Sequence, residues 1–217
     1  MRTALVTGGT RGIGRAIVER LSKSCKVVYW GHEVDVRDEV KVFAAVSKLP
    51  PIDILVNNAG IFGPVGSLLT YDTLSWKEVL DVNLTGQFLV AKHLIPQMVK
   101  RGYGRVVNMS SVVAKDTNPL CPAYTVSKAG IVALTRCLGL ELAKTGVTVN
   151  CIMPSAVNTE LFINTPKEQV EMMLKKCPMN RFVTVEEVAS LVNWLVSEEC
   201  SATTGAAFDI AGGRCQF

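Results

Sequence analysis

Tyr124 and Lys128 stand four residues apart, and Ser111 lies thirteen residues before the tyrosine. Side chains at positions i and i+4 of a helix share one face, so the lysine ammonium would lie beside the tyrosine phenol. Lowering the pKa of a tyrosine by ~2–3 units takes about 3–4 kcal/mol, and a positive charge ~4 Å away supplies roughly 4 kcal/mol at an effective dielectric of ~20. The spacing predicts that Lys128 makes Tyr124 acidic enough to transfer a proton near neutral pH. Taken alone, the pair is more typical of a solvated helix face.

A glycine-rich turn follows an apolar run of strand length at 3–7 and contains Gly8, Gly12 and Gly14. The segment 14–24 then carries apolar residues at helical spacing. Free backbone amides at the start of such a helix, together with the helix dipole, favour a bound anion. The glycines allow the backbone to approach a pyrophosphate closely. The turn therefore predicts the phosphate site of a dinucleotide, although the glycines could also serve only a tight turn.

Three further motifs follow along the chain. Asn-Asn-Ala-Gly stands at 57–60, Asn83 interrupts a long apolar helix, and Asn-Met-Ser-Ser stands at 108–111. Together with the glycine turn and the tyrosine–lysine pair, these motifs resemble those of the short-chain dehydrogenase/reductase family over nearly the whole chain. The closing stretch 180–213 resembles the 3-oxoacyl-carrier-protein reductase branch of that family. The resemblance implies a Rossmann-like fold and a nicotinamide-dependent oxidoreductase.

The resemblance implies that Asn83, Ser111, Tyr124 and Lys128 are the catalytic residues. Tyr124 would be the general acid in ketone reduction and the general base in alcohol oxidation, while Lys128 lowers its pKa and holds the nicotinamide ribose. Ser111 would donate a hydrogen bond to the substrate oxygen, where negative charge grows as hydride arrives, and Ser110 is only its neighbour. Asn83 would hold a water that links Lys128 to solvent. A surface position or a buried bond to a neighbour is the alternative for Asn83.

The same resemblance implies a set of cofactor-binding residues that runs through most of the chain. They are Gly8, Thr10, Arg11, Gly12, Ile13, Gly14, His32, Asp35, Val36, Asn57, Ala59, Gly60, Tyr124, Lys128, Pro154, Val157 and Thr159. The chain departs from the family at Ser155, where a glycine usually follows the proline that faces the nicotinamide. This serine adds a hydroxyl group to the site but need not block binding.

The charges near the second strand favour NADP(H) as the cofactor. NAD-preferring members carry an acid at the end of this strand, where the present chain has Gly31. Arg11 and His32 stand where NADP-preferring relatives often carry a base for the 2′-phosphate, although Arg11 could be a solvated loop charge. Glu33 argues for the opposite preference because it could turn back onto the ribose. NAD(H) therefore stays open.

Composition narrows the function class. The 217 residues carry a net charge of +4 without a basic run, which gives no indication of nucleic-acid binding. The seven cysteines are scattered, as expected for reduced thiols in a cytoplasmic protein. His32 and His93 lack nearby metal-type partners, so we expect no metal site. The first strand begins almost at Met1, which argues against a targeting peptide, and no apolar stretch has membrane length.

Alternating strand and helix patterns predict one α/β domain over 1–217, a doubly wound parallel sheet of Rossmann-like type. Ser75 and Glu78 have the spacing of a capping box that would open the long helix, and Gly102 would end that helix. Strands are predicted at 3–7, 26–30, 52–56, 104–109, 146–152 and 206–210. Helices are predicted at 13–24, 38–48, 75–100, 122–144, 167–176 and 184–197.

The connection after the second strand is too short for a standard sheet of this type. Only Gly31 and His32 separate this strand from the segment 33–38, whereas a parallel crossover needs about a dozen residues or more. Either residues 34–36 form a truncated edge by another route, or the sheet loses a strand at that end. The predicted adenine pocket, to which Asp35 and Val36 would contribute, should therefore lack one of its walls.

These patterns predict an enzyme that interconverts a ketone and a secondary alcohol, with 3-oxoacyl thioesters among the candidate substrates. The apolar segment 155–180 would cover the substrate. The alternative is a catalytically weak dinucleotide-binding protein that acts as a sensor or interaction partner.

The helices that carry Asn83 and Tyr124 have apolar residues beyond one core face, so we expect a homodimer or homotetramer. Those residues are Phe88, Leu89, Val90, Ile131, Val132 and Leu134.

Overall fold

The computed structural model describes residues 1–157 and 167–215, in which a parallel sheet has the strand order β2-β1-β3-β4-β5-β6. The strands are β1 (Thr3–Thr7), β2 (Lys26–Trp30), β3 (Ile54–Asn57), β4 (Gly104–Met109), β5 (Val147–Pro154) and β6 (Ala207–Ile210). The helices are α1 (Gly12–Leu21), α2 (Glu39–Val46), α3 (Thr73–Leu80), α4 (Gly86–Arg101), α5 (Pro122–Glu141), α6 (Lys167–Lys175) and α7 (Val185–Leu195). The predicted α/β fold with a doubly wound parallel sheet is confirmed.

Helices cover both faces of the sheet, which is why its central strands are apolar without alternation. Every residue of β1 and β3 is buried. On one face, α1 and α7 contribute Ile17 and Val188 to a core against β1, β3 and β4. On the other face, α2 and α4 contribute Val42 and Leu94 to a second core. The two cores pack on opposite faces of the sheet and fix the positions of its strands.

The sheet loses a strand at its β2 edge, which decides between the two predicted alternatives. Residues 34–36 belong to no strand, and β2 pairs with β1 alone. Val36 is buried in the core beside Trp30, and Asp38 caps α2 by accepting a hydrogen bond from the Lys41 amide. The strand that lies beyond β2 in sheets whose order begins 3-2-1-4 is missing, so the order here begins β2-β1-β3, and the reversal of strand order next to β1 is retained. Ligands of open α/β sheets bind at this reversal.

The helix predicted at 75–100 begins earlier and is interrupted. Asp72 caps α3 by accepting a hydrogen bond from the Ser75 amide, so the capping box predicted at Ser75 is wrong. A π turn, Asp81–Thr85, joins α3 to α4. Gly102 ends α4 in the left-handed conformation with φ +68°, as predicted.

Candidate active site

The strand register places the predicted site residues at one edge of the sheet. Val6 pairs with Val56, and Asn57 pairs with Asn108. Because all strands are parallel, the residues that follow β1, β3, β4 and β5 meet at the carboxyl edge. The glycine turn, the Asn-Asn-Ala-Gly turn and the serine pair therefore converge there.

Helix α5 brings Tyr124 and Lys128 to this edge. Pro122 opens the helix, where a missing backbone N–H carries no penalty. The Lys128 Nζ atom lies 5.4 Å from the centroid of the Tyr124 ring. The Ser111 hydroxyl, just after β4, lies near enough to the Tyr124 phenol to lower its pKa. The structure thus brings together the three residues that the spacing suggested.

Lys128 is almost fully buried, and its ammonium is held by the backbone of β4. The Nζ atom donates to the Met109 carbonyl oxygen at 2.8 Å. Burial lowers the pKa of Lys128 to about 8. Ser110 is more than a neighbour of Ser111, because its hydroxyl donates to the Lys128 carbonyl oxygen at 2.7 Å. This bond ties α5 to β4 at the residue that carries the ammonium.

The pKa of Tyr124 moves in the direction opposite to the one predicted. Burial raises it to about 12, and the nearby Ser111 hydroxyl opposes that rise. The expected lowering of the phenol pKa by Lys128 is not found in this geometry, in which burial is the largest cause of the shift. The phenol keeps its proton at neutral pH, which is the protonation state that a general acid requires.

Asn83 lies in the π turn and is fully buried. Its side chain accepts a hydrogen bond from the Ile61 amide at 2.7 Å and donates to the Ile61 carbonyl oxygen at 2.8 Å. It also donates to the Ser127 hydroxyl at 3.0 Å. The side chain thus makes buried bonds to its neighbours, which was the alternative interpretation. The water link that the family resemblance implies stays a prediction.

Gly60 lies between Asn83 and Lys128. A Cβ atom at this glycine would stand 3.2 Å from the Asn83 Oδ1 atom and 3.6 Å from the Lys128 Nζ atom. A side chain here would enter the space beside the ammonium. The backbone after β3 can therefore pass close to Lys128 because residue 60 is a glycine.

The glycine turn between β1 and α1 has the conformation of a phosphate cradle. Gly8 and Gly12 have φ values of +65° and +53°, and a Cβ atom at Gly14 would collide with the Gly8 carbonyl oxygen. Helix α1 begins without a side-chain cap, since Arg11 at the N-cap makes no capping hydrogen bond. The first-turn amides thus fit a pyrophosphate. Thr10 and Arg11 are exposed, and Ile13 is partly buried.

Two polar residues that the sequence analysis did not single out lock the glycine turn to the turn after β3. The Thr7 hydroxyl accepts hydrogen bonds from the Asn58 and Ala59 amides at 3.0 and 3.1 Å. The Asn58 side chain donates to the carbonyl oxygens of Thr7 and Gly8. Asn57 points elsewhere and donates to Asn108 at 3.0 Å. Two features of the sequence could have indicated this contact: the pair of asparagines at 57–58, and Thr7 at the end of an apolar strand.

The residues predicted to lie near the adenosine, His32, Asp35 and Val36, differ in exposure and in their contacts. His32 is exposed. The Arg37 guanidinium binds the Asp35 carboxylate and lowers its pKa to about 2. Val36 packs against Gly86, where an added Cβ atom would stand 2.7 Å from Val36 Cγ2. Their contact with a cofactor stays a prediction.

The substrate side of the site is described in part. Pro154 ends β5, and Val157 forms a bridge with Val183. Thr159 and much of the predicted covering segment lie outside the described residues. The centroid of the Phe62 ring lies 4.8 Å from that of the Tyr124 ring. Phe62 is 48% exposed. Phe62 follows the Asn-Asn-Ala-Gly motif, but no motif indicated its contact with the tyrosine.

Among the residues that the structure describes, no cluster of three or more His, Cys, Asp or Glu side chains could hold a metal ion. Within those same residues, no helix is long and apolar enough to cross a membrane.

A family model described as "Enoyl-(Acyl carrier protein) reductase" matches residues 4–214. The chain is 37% identical to a 2-dehydro-3-deoxy-L-rhamnonate dehydrogenase (NAD(+)) of Sphingomonas sp. (strain SKA58), covering 100% of this chain and 96% of that protein. It is 35% identical to the 3-oxoacyl-[acyl-carrier-protein] reductase FabG of Aquifex aeolicus (strain VF5), covering 98% and 96%.

A solved structure of a single-substitution variant of actinorhodin polyketide ketoreductase with NADPH superposes on this chain with a TM-score of 0.92. The two sequences are 32% identical, and the alignment covers 100% of this chain and 98% of the other. The alignment with the rhamnonate dehydrogenase runs over 239 positions, more than the 217 residues of the chain. The relative thus has residues that this chain lacks.

Proposed function

The chain belongs to the short-chain dehydrogenase/reductase family of oxidoreductases, and we propose that it interconverts a ketone and a secondary alcohol with a nicotinamide dinucleotide. The observation that carries the proposal is the convergence of Ser111, Tyr124 and Lys128 at the sheet edge that also holds the glycine turn. A phenol, a hydroxyl and an ammonium so arranged can bind a carbonyl oxygen and supply its proton.

The glycine turn would hold the pyrophosphate, and Lys128 would hold the nicotinamide ribose. A bound nicotinamide dinucleotide supplies or accepts the hydride. In reduction, Ser111 stabilises the negative charge that develops on the substrate oxygen, and Tyr124 gives that oxygen its proton. In oxidation, the deprotonated Tyr124 takes the hydroxyl proton while hydride leaves the carbon. The high pKa of Tyr124 favours the reduction direction near neutral pH, because the phenol stays protonated.

We propose a carbonyl substrate with an apolar body, such as a 3-oxoacyl thioester. The half-exposed Phe62 ring beside Tyr124 supports this class, since an apolar chain bound there would remove that ring from water. One of the similar proteins is named as a 3-oxoacyl-[acyl-carrier-protein] reductase, which also favours the proposal. Another is named as a dehydrogenase of a sugar acid, so polar ketones belong in the test.

The two candidate cofactors are NADP(H), which the bases Arg11 and His32 favour, and NAD(H). The named relatives divide in the same way, because one is an NAD(+) enzyme and one structure contains NADPH. The choice between the two cofactors depends on the residues at the end of β2, where the adenosine ribose would lie.

The proposal is tested with a panel of ketones that includes a 3-oxoacyl thioester and an oxidised sugar acid, each with NADH and with NADPH. Carbonyl-dependent loss of reduced-nicotinamide absorbance, with the thioester used best, is the expected result. Saturable binding of cofactor without turnover of any ketone would contradict the enzyme and favour the sensor. Turnover of the sugar acid alone would contradict the apolar substrate class.

A further inference from the structure

We infer that Glu33 supplies the carboxylate that the end of β2 otherwise lacks, and that this chain therefore prefers NAD(H) to NADP(H). This inference rests on the proposed function, because it concerns the cofactor of that same site. It also opposes the preference that the sequence pattern favours, in which Arg11 reads a 2′-phosphate.

The Glu33 side chain turns back toward the strand that precedes it. The Gly31 amide donates a hydrogen bond to Glu33 Oε1 at 2.7 Å. A Cβ atom at Gly31 would stand 2.8 Å from Glu33 Oε2. The carboxylate thus takes the space that a side chain of residue 31 would fill. An acid in that place hydrogen-bonds the ribose 2′-hydroxyl in dinucleotide-binding sheets.

The lost crossover is what makes this arrangement possible. Residues 31–38 form no strand, and β2 is the edge of the sheet, so the chain can fold back directly after Trp30. The same point lies beside the glycine turn. The Gly9 amide donates to the Trp30 carbonyl oxygen at 3.0 Å, and a Cβ atom at Gly31 would stand 2.7 Å from Thr10 Cγ2. The carboxylate therefore stands next to the predicted pyrophosphate cradle.

The charge of Glu33 distinguishes a ribose that carries a 2′-hydroxyl from one that carries a 2′-phosphate. The Gly31 amide lowers the pKa of Glu33, so the carboxylate is ionised at neutral pH. An ionised carboxylate accepts a hydrogen bond from a 2′-hydroxyl and repels a 2′-phosphate. Arg11 and His32 are the opposing bases, and both are exposed. Glu33 is exposed as well, and water and salt screen all three charges, but the hydrogen bond from the Gly31 amide fixes the position of the Glu33 carboxylate.

The test measures dissociation constants of NADH and NADPH for the wild type, Glu33→Gln and Arg11→Ala. Glutamine keeps an oxygen that can accept the Gly31 hydrogen bond but removes the charge. We expect the wild type to bind NADH about tenfold more tightly than NADPH, and Glu33→Gln to lose most of that ratio. Arg11→Ala should weaken both cofactors alike. Glu141→Gln is the control, because the end of α5 lies at the opposite edge of the sheet.

A rescue variant separates the position of the carboxylate from other effects of the substitution. Gly31→Asp in the Glu33→Ala background returns an acid to the end of β2 and should restore the preference for NADH. A wild type that prefers NADPH, or an unchanged ratio in Glu33→Gln, would overturn the inference and leave the proposed function standing. Binding of neither cofactor by the wild type would overturn both.

Discussion

Lys128 and Tyr124 have opposite pKa shifts for the same reason. Removal from water disfavours the charged form of any group, which lowers the pKa of a lysine and raises that of a tyrosine. The pKa of Lys128 falls to about 8 and that of Tyr124 rises to about 12. At neutral pH the pair therefore consists of an ammonium that can bind hydroxyl oxygens and a phenol that still has its proton. The spacing of the two residues predicted their proximity, but it could not predict how deeply the protein buries them.

The buried ammonium should make the stability of the wild type depend on pH in one window. The unfolded chain keeps the ordinary lysine pKa of 10.5, so between about 8 and 10.5 it binds more protons than the folded chain. Stability should therefore rise with pH through that window. The free energy of unfolding of Lys128→Met minus that of the wild type should be about 3 kcal/mol larger at pH 7 than at pH 10.5. Urea unfolding of both proteins across this range measures the difference, and a constant difference would contradict the burial of the charge.

The two neighbouring serines should respond differently to substitution. Ser111→Ala removes the hydroxyl that is proposed to donate to the substrate oxygen, and turnover should fall about 10²–10³-fold. Ser110→Ala removes the bond to the Lys128 carbonyl oxygen, and stability should fall by about 1 kcal/mol. Steady-state kinetics and urea unfolding of both variants provide the comparison. Equal losses of turnover in the two variants would show that Ser111 acts only through the fold.

The π turn between α3 and α4 exists because Asn83 has partners outside its own helix. Its side chain bonds both backbone groups of Ile61 and the hydroxyl of Ser127. These bonds connect the loop after β3 with α5, which carries Tyr124. π turns are rare and are frequent at functional sites. In this chain the π turn positions the backbone that lies beside the Lys128 ammonium.

Asn83→Ala should leave the Ile61 amide and carbonyl without these partners. Each unpaired buried group costs about 1–3 kcal/mol, so we expect a loss of roughly 2–4 kcal/mol in the free energy of unfolding. Turnover should fall as well, because α5 loses a contact beside Tyr124. Asn193→Ala, at a partly exposed position near the end of α7, is the control. A loss no larger than in that control would show that Asn83 does not organise the site.

Periodicity and turn residues predicted every described strand to within two residues. They did not predict the π turn, because no local signal reports that Asn83 will find Ile61 and Ser127. The capping box at Ser75 was wrong for a related reason. Asp72 is as good a local cap as Ser75, and both candidates fit the same apolar pattern. Features set by contacts distant in sequence were thus the ones that the sequence alone could not supply.

The loss of a whole strand leaves the rest of the sheet in place. Chain length showed that the usual crossover was missing, but it could not show whether residues 34–36 would pair elsewhere. The structure instead places Val36 in the core, against Gly86 at the start of α4. The same shortening lets Glu33 fold back onto β2. One short connection therefore shapes both the edge of the sheet and the predicted cofactor site.

Apolar surface on α4 and α5 supports the predicted oligomer. Leu89, Val90 and Ile131 lie in the core of their own chain, but Phe88 and Val126 remain 45% and 46% exposed. Phe88→Glu should shift the protein toward a monomer of 23.5 kDa in light scattering, because an interface cannot bury an unpaired charge. Phe43→Glu, at a phenylalanine that is 58% exposed on α2, is the matched control. A wild type that is already monomeric at micromolar concentration would contradict the prediction.

The central claim is that Tyr124 supplies the proton in a hydride-transfer reaction, and Tyr124→Phe tests it most directly. Phenylalanine keeps the ring against Phe62 and removes only the hydroxyl. The measurement is the turnover number of the variant with saturating cofactor and the best ketone of the panel, compared with the wild type. We predict a decrease of about 10²–10⁴-fold with little change in the cofactor dissociation constant. Turnover within a few-fold of the wild type would contradict the mechanism.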